Sequence, residues 1–381
     1  MKQKPDRRIL IRSARSLHQL PSGGAGRLMC NIGRALSDSR WAVDIICPSP
    51  PEKTSKRDTY GTFHEFPYQN PETSVGRLTG SIRGVRKFRE VLGGREPDII
   101  LDDISHIPYY PAHFLSSDST NAIFMHTAFF NEAWTFNGPI KGTVVNLIDR
   151  FLPYMNSPAV VCASESTKTR MTTNTRIDDG YVLNPCIDIS EFQYTFDPDS
   201  KRILYLGRIT PRKNVRCLIE AWADVGVKYD DYTLSIAGTG NREESIRQLV
   251  DERDIENVEF HGYVDEDEKQ RLYRDSLLFV VPSLMEGYMT TGLEALASGT
   301  PVVGSDTYGI RDYVTDGSNG FLFEPDSAKQ LANVLDGALS NPETLRPLAE
   351  NGREVAEAHT FESFKDEANA VFSALADSYV A

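Results

Sequence analysis

The sequence is short of several things, and each shortage removes a class of protein. It has no run of eighteen apolar residues, so no helix in it is expected to span a bilayer. Its opening, Met1-Lys2-Gln3-Lys4-Pro5-Asp6-Arg7-Arg8, leads into only a short apolar strand and lacks the apolar core of a secretion signal, so a cytoplasmic chain is expected. The 5 cysteines, Cys30, Cys47, Cys162, Cys186 and Cys217, are scattered, odd in number and never spaced Cys-x-x-Cys. That excludes a disulfide scaffold and a zinc ribbon and reads as reduced core thiols. Cations are outnumbered, 41 Lys and Arg against 54 Asp and Glu, for a net charge of −13, and no nucleic-acid partner is expected.

What is present is length and alternation. The 381 residues suffice for two domains, each with its own core. Short apolar strands alternate with helical segments throughout, which is the pattern of an α/β chain with parallel sheets. In the first half, strands are expected at 8–11, 43–47, 99–101 and 122–125, with a helix from about Arg27 to Leu36 entered through Pro21-Ser22-Gly23-Gly24-Ala25-Gly26. Glycines at such a turn let backbone amides approach a phosphate. Charge divides unevenly: residues 1–185 hold 23 Lys and Arg against 18 Asp and Glu, which leaves 18 against 36 in the remainder. A basic first half facing an anionic acceptor or membrane is one account, and general surface acidity is the other. Segment 75–92, with Arg77, Arg83, Arg86, Lys87 and Arg89 among apolar residues, reads either as a basic amphipathic helix on anionic lipid or as a solvated face with a buried stripe.

The most informative stretch runs from Pro282 to Val303. An apolar run, Leu277 to Val281, reads as a buried parallel strand, and Gly292 to Ser298 as a helix ended by Gly299. Glu286 then stands in the loop at the strand's carboxyl end, where open α/β sheets bind ligands, and Glu294 in the helix that follows. Carboxylates accept charge-assisted bonds from sugar hydroxyls, and the amides of Tyr288 to Thr291 point to a phosphate at the helix start. Two glutamates alone would be an ordinary loop and a solvated helix residue.

Ser283, Glu286, Gly287, Tyr288, Glu294, Gly299, Pro301, Val302 and Val303 stand in the order of the retaining GT-B glycosyltransferases of family 4, which this stretch resembles. Tyr288 replaces the family's phenylalanine, Met289 its glycine, and Thr290-Thr291 a common Leu-Pro. Upstream, the run from Ile203 to Asn214 resembles the family's strand, Gly-Arg turn and lysine, with Asn214 in place of glycine. The resemblance implies two Rossmann-like α/β/α domains with parallel sheets facing across a cleft. The expected divisions are an acceptor-side domain at 1–185, a nucleotide-sugar domain at 186–360, and a helix at 361–381 returning to the first domain.

The resemblance also assigns roles. Glu286 would hold the transferred sugar and Glu294 the ribose diol. Arg208 and Lys213, with Gly23 and Gly24, would hold the diphosphate. Gly238, in the turn Gly238-Thr239-Gly240, with Tyr263 and Val264 beside the nucleobase, and Gly287, Tyr288, Met289, Thr290 and Thr291, would complete the donor site. His126 would lie beside the reacting sugar, with His106 a weaker candidate. Tyr308 and Asp312 depart from the family's closing loop. Asp265-Glu266-Asp267 and Asp197-Pro198-Asp199 have a metal-binding Asp-x-Asp spacing, but the first suits a helix start and the second lies in the linker, so no metal is expected.

The function implied is metal-independent transfer, with retention, from a UDP- or GDP-sugar to a hydroxyl of a glycan or lipid-linked acceptor in polysaccharide synthesis, with peripheral membrane contact through the basic first domain. Tyr109, Tyr110, Phe129, Phe130 and Trp134 read either as an acceptor wall or as core residues. A retaining sugar phosphorylase of the same fold and a catalytically weakened sugar-nucleotide-binding subunit are the alternatives.

Overall fold

A computed structural model describes residues 5–13, 17, 23–49, 60–67, 74–93, 96–104, 119–151, 154 and 159–378. The chain divides after Cys186 and after Thr360: residues 1–186 with 361–381 form one compact unit, and residues 187–360 the other.

Unit 1 is built on strands β1 (Arg7–Arg12), β2 (Trp41–Pro48), β3 (Thr62–Phe66), β4 (Ile99–Asp103), β5 (Thr120–Met125), β6 (Ala159–Cys162) and β7 (Tyr181–Val182), ordered β3-β2-β1-β4-β5-β6-β7. All pairs are parallel. Its helices include α1 (Gly24–Ser37), α2 (Ser74–Leu92), α3 (Glu132–Phe151) and α4 (Glu165–Asn174). The strands read as unbroken apolar runs because helices cover both faces; Ile9, Leu10 and Ile11 are all inaccessible or nearly so.

Three details of the helices bear on the site and surface. Helix α1 begins at Gly24 rather than near Arg27, with extended Gly23 as its cap, so the glycines form the first turn itself. In the second half of α2, Phe88, with Val85, Val91 and Leu92, packs on Leu10, Ile46, Phe66 and Ile100, as in the buried-stripe reading, while Ile82 is exposed. Helix α3 breaks at Gly138-Pro139, where Gly138 adopts φ 73° and ψ 177°, a conformation open essentially to glycine alone. The broken halves approach so closely that a Cβ on Gly142 would lie 2.6 Å from the Trp134 Cα.

Unit 2 carries β8 (Arg202–Leu206), β9 (Thr233–Ala237), β10 (Val258–Gly262), β11 (Leu278–Val281), β12 (Val302–Ser305) and β13 (Gly320–Phe323), ordered β10-β9-β8-β11-β12-β13. These pairs too are parallel. Helices α5 (Val215–Val225), α6 (Glu243–Glu252), α7 (Glu266–Arg274), α8 (Thr290–Ala297), α9 (Ala328–Ser340) and α10 (Arg346–Glu357) accompany them. The two-residue side-chain period divides the strands between two cores: Ile203 and Tyr205 join Trp222 and Leu234 on one face, while Leu204 and Leu206 join Phe279, Leu293 and Leu296 on the other. The order of strands reverses about β8, with β9 on one side and β11 on the other.

The last helix, α11 (Phe361–Asp377), belongs to unit 1, where Phe364, Phe372 and Leu375 are buried and Arg7 pairs with Asp377 at 2.7 Å. The five cysteines are buried. Burial pushes the Cys47, Cys162 and Cys217 thiols up to about 12, as suits inert core residues. Among the described residues no helix is long and apolar enough to cross a membrane.

Candidate active site

Turns at the carboxyl ends of β8, β9 and β10 are stitched together by backbone. The Gly207 amide donates to Ala237 O at 3.0 Å, Gly238 N to Gly262 O at 2.6 Å, and Ile209 N to Thr239 O at 2.9 Å. Gly238, at φ 125°, sits so close that a Cβ would fall 2.0 Å from Gly207 O. The Gly-x-Gly turn is thus required by packing of the site's floor.

From that floor the chain enters a 3-10 turn, Pro211–Lys213, and the left-handed Asn214 (φ 49°, ψ 41°) before α5. Asparagine tolerates this conformation better than most residues, and Asn214 Nδ2 donates to Asp326 Oδ1 at 2.9 Å. Asparagine in place of glycine is thus accommodated in a left-handed conformation and held by a side-chain bond. The turn lies against the loop after β11, with Leu284 N donating to Arg212 O at 2.9 Å. There Glu286, only 6% exposed, meets Arg212 Nη1 and Lys213 Nζ, each at 2.8 Å and on different oxygens. Burial alone would raise this carboxyl, but the two cations outweigh it and bring it down to about 2.

Sequence reasoning named Arg208 and Lys213 as the cationic pair. The structure places Arg212 beside Lys213 on Glu286, while Arg208 is exposed and makes no ion pair among the described residues. Arg212 was legible only as the lysine's immediate neighbour in the same turn.

Helix α8 begins at Thr290, behind an extended Met289 that offers no side-chain cap. Met289 is 4% exposed and belongs to the core, its sulfur 3.7 Å from Lys213 Nζ. Tyr288 donates its hydroxyl to His359 Nε2 at 2.6 Å, since His359 Nδ1 faces Val355 O at 2.8 Å. Around the start of α8, Ser283 Oγ, Thr291 Oγ1 and Tyr313 OH are buried and have no hydrogen-bond partner among the described residues. Such orphans are uncommon unless a ligand or water completes them. Gly309 (φ 79°) lets the next loop close on this one, since a Cβ there would be 2.7 Å from Glu286 O. Asp312 Oδ2 accepts the Gly309 amide at 2.9 Å, so this departure secures the same loop.

Glu294 is 4% exposed and receives Lys269 Nζ and the Tyr273 hydroxyl, each at 3.1 Å and on different oxygens. Beyond β10, Tyr263 is 76% exposed, while Val264 packs partly buried on the core. The Asp-x-Asp pairs serve local structure: Asp265 Oδ1 accepts Glu268 N at 2.9 Å as the α7 cap, and Asp197 Oδ1 accepts Asp199 N at 3.0 Å.

In unit 1 the ends of β1, β4 and β5 gather a second polar cluster. His126 Nε2 lies 2.8 Å from Asp103 Oδ1, Ser13 Oγ donates to Asp103 Oδ2 at 2.5 Å, and Arg12 grips Asp102 through two nitrogens at 2.7 and 2.6 Å. Asp103 as partner of His126 was not foreseen. Phe130 is core rather than acceptor wall: it is 1% exposed, with Arg150 and Arg170 against its ring. Trp134 is 44% exposed, and Gly23 and Gly24 stand at the start of α1. His106, Tyr109 and Tyr110 lie outside the described residues.

Comparison with known proteins agrees with this geometry. Residues 187–355 match the family model "Glycosyl transferases group 1" and residues 22–191 match "Glycosyltransferase Family 4". An uncharacterized glycosyltransferase of Haemophilus influenzae is 24% identical over 355 residues, covering 91% of this chain and 95% of that one. Sucrose-phosphate synthase from Thermosynechococcus elongatus shares the fold at a TM-score of 0.81 and 18% identity, over 98% of this chain and 100% of that one. HepE of Anabaena, solved with UDP and glucose, does so at a TM-score of 0.71 and 18% identity, over 97% and 100%. The chain is a glycosyltransferase of the GT-B fold.

Proposed function

We propose that this glycosyltransferase moves a sugar from a UDP- or GDP-sugar to a hydroxyl of a glycan or lipid-linked acceptor, retaining the anomeric configuration and using no metal. One observation carries the reading. At the β8–β11 switch point a buried carboxylate, Glu286, stands between Arg212 and Lys213, next to an uncapped helix start lined by unpartnered polar atoms. The cations outnumber the anion there, so a diphosphate would complete the charge, and its developing negative charge on departure would meet fixed positive groups. Glu286 would hold hydroxyls of the transferred sugar and Glu294 those of the ribose. Exposed Tyr263 offers a face to the base. The C1–phosphate bond breaks as the acceptor oxygen bonds to C1 on the same face, and the acceptor's proton passes to the leaving phosphate oxygen. His126, held by Asp103, acts on the acceptor side.

Support for an acceptor at a lipid surface comes from unit 1. Trp134, Ile140, Val144, Leu147, Phe151 and Tyr154 are all between 44% and 82% exposed. Ile140, Val144, Leu147 and Phe151 follow one helical stripe, with Lys141 exposed beside it. An apolar stripe with a flanking cation suits the boundary of an anionic bilayer.

The test is to incubate the protein and a chelator with a panel of UDP- and GDP-sugars, with and without a lipid or oligosaccharide acceptor extract, and to follow nucleoside diphosphate release. Release from one donor, abolished by Glu286→Ala, is the expected result. Release that requires a divalent ion would overturn the metal-independent part. Inertness toward every donor would overturn the reading of a transferase acting on these donors.

A further inference from the structure

Lys269 is a buried cation that the transfer chemistry above does not use. It lies in the first half of α7, 7% exposed, where a lysine is normally solvated. Nζ is 2.6 Å from Glu266 Oε2 and 3.1 Å from Glu294 Oε1, and it lies 5.7 Å from the Phe192 ring. One α-helical turn further on, Tyr273 is fully buried and donates to the other oxygen of Glu294, also at 3.1 Å. The ring of Tyr273 is fixed edge-on against Phe279 at 5.5 Å and Phe192 at 6.3 Å, and its carbonyl accepts Thr300 Oγ1 at 2.7 Å.

The consequence is geometric. A carboxylate on a flexible glutamate stem can swing and rotate, and recognition of two vicinal hydroxyls needs its plane fixed. A donor on each oxygen fixes that plane without exhausting an acceptor that takes more than one bond per oxygen. Both donors come from α7, an element that is packed before any ligand arrives. We infer that Lys269 and Tyr273 are positioning residues that set the Glu294 carboxylate for the ribose hydroxyls, and so give the site its preference for ribonucleotides over deoxyribonucleotides. Burial, reinforced by Glu294, holds the Tyr273 phenol well above its ordinary titration range, so it remains a donor throughout the working pH range. This inference rests on the donor reading above.

The experiment measures, on the intact chain, dissociation constants for UDP, GDP and their 2′-deoxy counterparts. The wild-type protein should prefer the ribose form of its nucleotide by about tenfold or more, the scale of one charge-assisted bond. Lys269→Met and Tyr273→Phe should each bring that ratio to within about threefold, and Lys269→Arg should restore part of it. The ratio is internal to each protein, so a general loss of folded material or affinity does not move it. Variants that bind more weakly yet keep the wild-type ratio would overturn the inference and leave Lys269 a structural cation. A wild-type chain that binds neither nucleotide would instead overturn the donor reading, which separates the two failures.

Discussion

The crevice at the ends of β8 and β11 and the polar cluster at the ends of β1, β4 and β5 occupy the equivalent place in their sheets, but their charges balance differently. In unit 2, Arg212 and Lys213 share the single carboxylate of Glu286, with Arg208 exposed on the preceding turn. In unit 1, Arg12 is matched by Asp102, and Asp103 faces His126 and Ser13. A network in which every cation is matched by a carboxylate holds its shape without a bound anion. A surplus of fixed cations against a buried carboxylate is poised to take an anion. On the proposed reading, the difference assigns the diphosphate to unit 2 and the acceptor-side group to unit 1.

The most severe way to break the comparison is Glu286→Gln. It removes the anion and leaves both cations, so sugar transfer should fall on the order of 10²–10³-fold while affinity for the nucleoside diphosphate stays level or rises. Steady-state rates beside calorimetric binding check this, and nucleotide affinity that collapses together with the rate would show that Glu286 organises the phosphate site instead. Lys213→Met acts from the other side. Removing one charged partner should weaken nucleoside diphosphate binding by about ten- to a hundredfold, the span of one hydrogen bond to a charged group.

The same ion cluster makes a pH prediction. The Glu286 carboxyl is carried from its ordinary 4.5 to about 2. A depressed acid stabilises the fold above its unfolded value and loses that contribution as pH falls towards the folded one. Some 3 kcal/mol, as an order of magnitude, should therefore disappear between about pH 4.5 and pH 2. Denaturant titrations across that window should show the decline in the wild type and a shallower one in Lys213→Met. Equal slopes would place the acid sensitivity elsewhere, in pairs such as Arg8–Asp44.

How far the sequence foretold this follows from the range of the interactions. Strand and helix order was legible because apolar runs and helical periods are local, and so was the placing of Glu286 at a strand's end. Residues 203–214 and 282–303 carried the site. That Arg212 as well as Lys213 meets Glu286 was not legible, because a 3-10 turn followed by left-handed Asn214 decides which side chains reach the carboxylate. The departures at Asn214 and Asp312 say nothing of their partners in one dimension; in three, each is hydrogen-bonded, Asn214 to Asp326 and Asp312 to the Gly309 amide. Met289 is buried, with its sulfur beside Lys213 Nζ, a neighbour that its place in the sequence did not announce. The partners of buried acids, Asp103 for His126 and Lys269 for Glu294, lie 23 and 25 residues away in the chain and reach them only through the fold.

The mildest test addresses unit 1. If its cluster orients His126 without holding nucleotide, Asp103→Asn should lower transfer by about tenfold, less than the roughly 10²–10⁴-fold of an acid–base group itself, since Asp103 acts only through His126. Nucleoside diphosphate affinity should not change, because the balanced cluster offers no surplus cation to an anion. Asparagine keeps the size of the side chain and one acceptor, so Ser13 and His126 retain a partner. The carboxylate's charge is what disappears, and with it the preference for a ring proton on His126 Nε2. The ¹⁵N shifts of the imidazole read that tautomer directly. A tautomer unchanged by the substitution, together with an unchanged rate, would make the cluster a fold element alone and would leave unit 2 as the seat of all the chemistry.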